Sequence, residues 1–174
     1  MDRKSLLRWA AGASSLLYVL TCFFPWTPLK SYTSTEDSWM LALHAAFQKG
    51  LQFGYDIVFP FGPWGFLYGG YHPETWLLSA LTWSVLAIVF WWIAWRAARH
   101  LFTHELVSWM WLMGLIATTH TTLFLNIDVR LTVWVLLLLV WHFFVEEQPF
   151  SASEATLVVS LGLLSLIKFS LMVG

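Results

Sequence analysis

The stretch from Trp76 to Trp95 contains no charged residue. A helix needs about 20 predominantly apolar residues to cross the hydrocarbon of a bilayer, and this stretch supplies them alone. Four other apolar runs have comparable character: Leu6 to Trp26, Leu106 to Leu125, Val129 to Val145 and Ala155 to Gly174. So much apolar length leaves little with which to cover it. The chain is 59% hydrophobic and 11% charged, where soluble domains carry about 25% charged residues. The expectation is an all-α integral membrane bundle of about five transmembrane helices, forming a single membrane domain over residues 1–174. The formal net charge of −1 excludes the basic footprint of a nucleic-acid-binding protein.

Orientation follows the basic residues, which favour the cytoplasmic side. Arg3, Lys4 and Arg8 form the basic start of the first run, and Arg96 and Arg99 follow the second. If every run crosses, both groups fall on one side, so the N-terminus is expected in the cytoplasm and residues 27–75 outside. The first run is too long for a signal-peptide core and has no small-residue cleavage site after it, so it reads as an uncleaved anchor. The bacterial cytoplasmic (inner) membrane is the expected location. Cys22 is the single cysteine, which excludes an intrachain disulfide; an ordinary buried thiol is favoured over a lipidated one. Tryptophan is abundant, with 13 residues, as suits helices whose ends lie in membrane interfaces.

The polar residues concentrate in the loop from Thr27 to Thr75. It opens with the acidic pair Glu36-Asp37. A helix is expected from Asp37 to Lys49, with Thr35 or Asp37 at its N-terminus and Gly50 ending it. Trp39, Met40, Leu43, Ala46 and Phe47 recur on one apolar face, as in a juxtamembrane helix lying in the interface. Asp37, Leu41, His44 and Gln48 fall on a more polar face, where Asp37 and His44 can look toward one site. The plainer alternative makes Asp37 a helix cap and His44 a solvated residue. Glycines and prolines then force repeated turns through FPFGPWGFLYGGYHP. Its aromatics, Phe59, Phe61, Trp64, Phe66, Tyr68 and Tyr71, either line a groove for a lipid chain or sugar ring or anchor the loop in the interface.

Three further polar positions are expected at the same outer face. Asp128 lies in the short turn Asn126-Ile127-Asp128, where Arg130 offers a local ion pair. His120 stands near the outer end of the third run, as a site residue or an interhelical hydrogen-bonding residue. Lys168 lies about 14 residues into the fifth run, roughly 20 Å up at about 1.5 Å per residue. There it either snorkels or meets a lipid phosphate, an ionisable residue within a span being a functional hypothesis by default. Two carboxylates at one face can divide general-base work from stabilising a sugar transition state or holding a divalent cation.

The segment EDSWMLALHAAFQKGLQFGYDIVFPFGPWGFLYGG resembles the first outer loop of polytopic membrane glycosyltransferases of the GT-C superfamily, the polyprenyl-phosphate-sugar-dependent class that includes protein mannosyltransferases and aminoarabinose transferases. The likeness lies in an acidic pair, Glu36-Asp37, followed by an amphipathic helix and a Gly/Pro/aromatic segment, Phe61-Gly62-Pro63-Trp64-Gly65. Asn126-Ile127-Asp128 is a partial match to the acidic second outer loop, with Asn where the first acid would stand. The resemblance implies that Asp37 is the catalytic base and Asp128 a supporting acid, both of them the candidate metal ligands. It further implies that Glu36, His44, Trp64 and Lys168 bind substrate, with Lys168 on the donor phosphate. The partners implied are membrane lipid and a polyprenyl-phosphate-linked sugar. Such enzymes usually have more spans, so the resemblance implies the N-terminal portion of one. The rival expectation is a non-enzymatic structural or accessory subunit packed against partner membrane subunits.

Overall fold

The computed structural model describes residues 3–26, 35–58, 60–68 and 71–120, together with residues 134, 136, 137, 155, 159, 162, 164, 166 and 167. These residues form four α-helices and a short 3-10 turn, with no strand among them. The helices are α1 (Arg3–Phe23), α2 (Thr35–Gln48), α3 (Trp76–Leu101) and α4 (Glu105–His120), and the 3-10 turn is Gly65–Leu67. The protein is all-helical over the described residues. One helix among them, α3, is long and apolar enough to cross a membrane.

Among the described residues, α1 and α4 carry the apolar helical stretches Trp9–Phe23 and Glu105–Ala117. The runs 129–145 and 155–174, and the end of 106–125, lie largely outside the described residues.

The chain divides into two compact units. One comprises Met1–Phe24 and Leu81–Glu147; the other comprises Pro25–Ala80 and Gln148–Gly174.

In the first unit, α1 buries Ser15, Val19, Cys22 and Phe23, a stripe at three- and four-residue spacing. Phe23 meets Trp83 with ring centroids 6.0 Å apart and Phe90 at 5.2 Å. Eight residues earlier in α1, Ser15 meets Trp91. Contacts that move backward along one helix as they move forward along the other mean that α1 and α3 run antiparallel. Ser15 Oγ donates to the Gly12 carbonyl at 2.9 Å and accepts the Trp91 indole N–H at 2.8 Å. That partner lets an indole N–H lie inside an apolar bundle at no unsatisfied cost.

Beyond Trp95, α3 continues through Arg96 and Arg99 to Leu101. Arginine and alanine are good helix formers, and Arg99 and His100 in the last turn complement the helix dipole. The guanidinium of Arg96 lies 5.1 Å from the Trp92 ring, and that of Arg99 lies 5.6 Å from the Trp95 ring. A tight turn then reverses the chain into α4, where Trp95 faces Trp109 at 4.4 Å. Buried Ser108 closes the turn. Its hydroxyl lies within hydrogen-bond reach of the carbonyls of Ala98 (3.2 Å), Phe102 (3.3 Å) and His104 (3.3 Å), which covers acceptors that the end of α3 leaves open. Leu112 and Ile116 continue the buried face of α4.

In the second unit, α2 ends as its sequence requires. Gly50 adopts φ +64°, with the Leu51 N–H on the Ala46 carbonyl (3.0 Å) and the Gly50 N–H on Phe47 (3.1 Å). This is the two-bond Schellman cap, which a left-handed glycine permits. The chain makes a turn over residues 52–57, where the Asp56 carboxylate accepts the Gln52 N–H at 2.8 Å. It then passes beneath α2 as the Gly/aromatic segment. Leu43 and Ala46 of α2 and Phe61, Phe66 and Leu67 of that segment are buried. Removing a Phe or Leu side chain from water contributes about 1.5–3 kcal/mol, so the loop carries a small core of its own.

Candidate functional site

The segment from α2 to the start of α3 is a folded platform, and its polar residues gather at one place in it. His44, placed by the sequence on the polar face of α2, is 2% exposed. The expectation of a solvated His44 is therefore corrected. The reason is a partner far along the chain: His44 Nδ1 and Thr75 Oγ1 share a 2.8 Å hydrogen bond. Thr75 is itself buried and sits at the residue before α3, a position where threonine commonly caps the helix. Its hydroxyl also reaches the His72 carbonyl at 3.3 Å. Both bonds are satisfied together when His44 Nδ1–H donates to Thr75 and Thr75 donates to His72.

His72 completes the group. Its ring lies 5.8 Å from that of His44. Its Nδ1 accepts from the Gln48 side-chain amide at 3.3 Å and from the Glu74 N–H at 3.4 Å. Two donors on Nδ1 fix the other nitrogen as the protonated one in the neutral ring. His72, Thr75 and Gln48 were not singled out as site residues by the sequence, apart from Gln48 on the polar face. The available signal was the sequence His72-Pro73-Glu74-Thr75 directly before an apolar helix. It holds more polar groups than a helix cap needs.

Beside this group stands an aromatic cluster. Trp39 stacks on Phe61 with centroids 5.1 Å apart and planes at 15°. Tyr68 packs against both, at 5.6 Å from Trp39 and 4.6 Å from Phe61. Phe66 lies 4.1 Å from Phe47 and 5.8 Å from His44. Phe61 and Phe66 are thus spent on the core of the loop, while Trp39, Trp64, Tyr68 and Tyr71 remain half-exposed. Phe59 lies outside the described residues.

Trp64 is held through its backbone. Its N–H donates to the Leu166 carbonyl at 3.0 Å, and the Gly62 N–H donates to the Ile167 carbonyl at 3.2 Å. The chain lies so close there that a Cβ on Gly62 would run into the carbonyl of Leu166. Only glycine fits this approach.

Glu36 and Asp37 lie in the first turn of α2, the helix that His44 and Trp39 fix to the loop. His120 is the last residue of α4 in the other unit. Asp128, with Asn126 and Arg130, and Lys168 lie outside the described residues. Among the described residues, no three His, Cys, Asp or Glu side chains gather as a metal site would require. The cation expectation rests on Asp37 and Asp128, and that finding reaches neither carboxylate.

The geometry thus defines a helical protein with a self-packed aromatic loop and a buried histidine–threonine pair. Compared with known proteins, the chain matches no family model, no curated protein and no solved structure.

Proposed function

We propose that this chain is a membrane glycosyltransferase-like protein, or the N-terminal part of one, that transfers a sugar from a polyprenyl-phosphate donor at the outer face of a bacterial cytoplasmic membrane. It would have about five spans and a cytoplasmic N-terminus, with Asp37 as general base and Asp128 as supporting acid. Membrane residence is supported by α3, which is apolar on both faces. Trp83, Leu86, Phe90 and Ile93 are buried, while Leu81, Val85, Ile88 and Trp92 are exposed. A helix that is hydrophobic all round and still uncovered on one side suits a lipid neighbour.

The observation that carries the transferase reading is the anchoring of α2. His44 ties it to Thr75, and Trp39 stacks on Phe61. The acidic pair therefore belongs to a helix that is fixed further along to half-exposed aromatics, and not to a loose tether. Holding a base in one geometry is worth several kcal/mol of barrier, and tryptophan or tyrosine faces suit a sugar ring or prenyl chain. A lipid-borne donor requires such a site at the interface.

The test is transfer of radiolabelled sugar from polyprenyl-phosphate donors by membranes containing the full-length product. Asp37→Asn should lower transfer by about 10²–10⁴-fold, the usual contribution of a positioned general base, with expression and melting behaviour unchanged. Transfer retained by a normally folded Asp37→Asn variant would refute the assignment of Asp37.

A further inference from the structure

The turn between α3 and α4 encloses a cleft of about 190 Å³, lined by Trp95, Arg99, Phe102, Thr103, Glu105 and Trp109 among others. All its lining residues belong to the first unit. Pockets for drug-sized ligands hold about 300–1,000 Å³, so this one suits a headgroup and not a whole lipid.

We propose that this cleft binds the phosphate of an anionic membrane phospholipid. The phosphodiester would meet the Arg99 guanidinium and the Thr103 hydroxyl. Arginine matches phosphate with a planar fork of donors, and Arg99 is already held over Trp95. Trp95 and Trp109, packed against each other, give the indole floor typical of a membrane interface. Glu105 also lines the cleft, yet Arg96 and Arg99 outnumber it at this end of the helix pair. That leaves a net positive charge, which favours an anionic over a zwitterionic headgroup. Leading away from the cleft, Leu106, Met110 and Met113 of α4 are exposed. They recur at helical spacing and form an apolar ridge along which an acyl chain can lie. Headgroup, interface and tail thus each meet the surface their chemistry selects.

The inference rests on the membrane reading above, though not on the transferase assignment. The full chain is delipidated in mild detergent and titrated with phosphatidylglycerol or phosphatidylcholine, counting bound lipid by native mass spectrometry. One phosphatidylglycerol per chain should bind in preference to phosphatidylcholine. Arg99→Gln should weaken it about tenfold, the scale of one charged hydrogen bond. Arg96→Gln removes the same charge outside the cleft and should weaken binding clearly less than Arg99→Gln does. Thr103→Val gives an independent, milder loss if Arg99→Gln misfolds. Equal weakening by Arg96→Gln and Arg99→Gln, or Arg99-dependent binding of inorganic phosphate without lipid, overturns the site. Release of the wild-type chain from membranes by alkaline carbonate overturns the membrane reading and the site together. Membrane retention with unaltered Arg99→Gln titrations overturns the site alone.

Discussion

The imidazole Nδ1 of His44 lies 2.8 Å from the hydroxyl of Thr75, a bond that closes 31 residues of chain. It joins the middle of α2 to the residue just before α3. Thr75→Val keeps the shape and removes the partner, leaving a buried ring nitrogen unsatisfied. The expected cost is about 1–3 kcal/mol. Thr75→Ser should restore most of it. Thermal melts in detergent check the order, with wild type and Thr75→Ser close together and Thr75→Val lower. Equal midpoints for the two variants would show that the bond contributes nothing.

Two glycines in the same unit should respond very differently to alanine. Gly50 sits at φ +64° in open space, so Gly50→Ala meets only the left-handed backbone penalty of about 1–2 kcal/mol. Gly62→Ala drives a methyl into the Leu166 carbonyl and must break the Gly62–Ile167 and Trp64–Leu166 bonds. Its cost should reach roughly 3 kcal/mol or more, within the range of severe packing and backbone defects. Limited proteolysis should find the loop around residues 51–64 much more readily cut in Gly62→Ala than in Gly50→Ala. The reverse order would mean that the loop does not dock on residues 166 and 167.

These positions also show what could be read from the sequence. The loop helix expected over Asp37–Lys49 is Thr35–Gln48, and Gly50 ends it as expected, because capping is local chemistry. Leu43 and Ala46 are buried on the expected face. The expected second span stops at Trp95, whereas α3 runs to Leu101. The arginines mark where hydrocarbon would end but do not stop a helix. The solvated alternative for His44 fails because periodicity sees only its own helix, and its partner is 31 residues away. Phe61 and Phe66 were expected at a groove or the interface. They turn inward because four glycines and three prolines let the segment fold over them, which spacing alone does not reveal. The convergence of Asp37, His120, Asp128 and Lys168 stays an expectation, with Asp128 and Lys168 outside the described residues.

Ser15 and Trp91 give a test of the helix pair itself. Trp91 donates its indole N–H to Ser15 Oγ at 2.8 Å. Ser15→Ala, Trp91→Phe and the double variant form a cycle whose coupling reports this bond. Within a membrane bundle the coupling should be about 0.6 kcal/mol and no more than about 1.7. Unfolding free energies of the three variants would measure it. Strict additivity would mean that α1 and α3 do not meet at these residues.

The exposed face of α3 gives the sharpest physical test of where the protein resides. Ile88 is 48% exposed and lies near the middle of the helix. On an aqueous surface, Ile88→Asp should be worth within about 0.5 kcal/mol. Facing hydrocarbon, an aspartate at the centre of a span costs about 2.5–3.5 kcal/mol in insertion. The ratio of the inserted to the uninserted fraction should therefore fall by roughly 60-fold or more, at 1.4 kcal/mol per factor of ten. A glycosylation-tag insertion assay with α3 in its native flanks reads that fraction directly. Ala87, the neighbouring residue and fully buried, supplies the contrast. Ala87→Asp impairs the packed protein in either environment, whereas Ile88→Asp does so only in lipid. An Ile88→Asp chain that folds and stays dispersed without detergent would place this face in water.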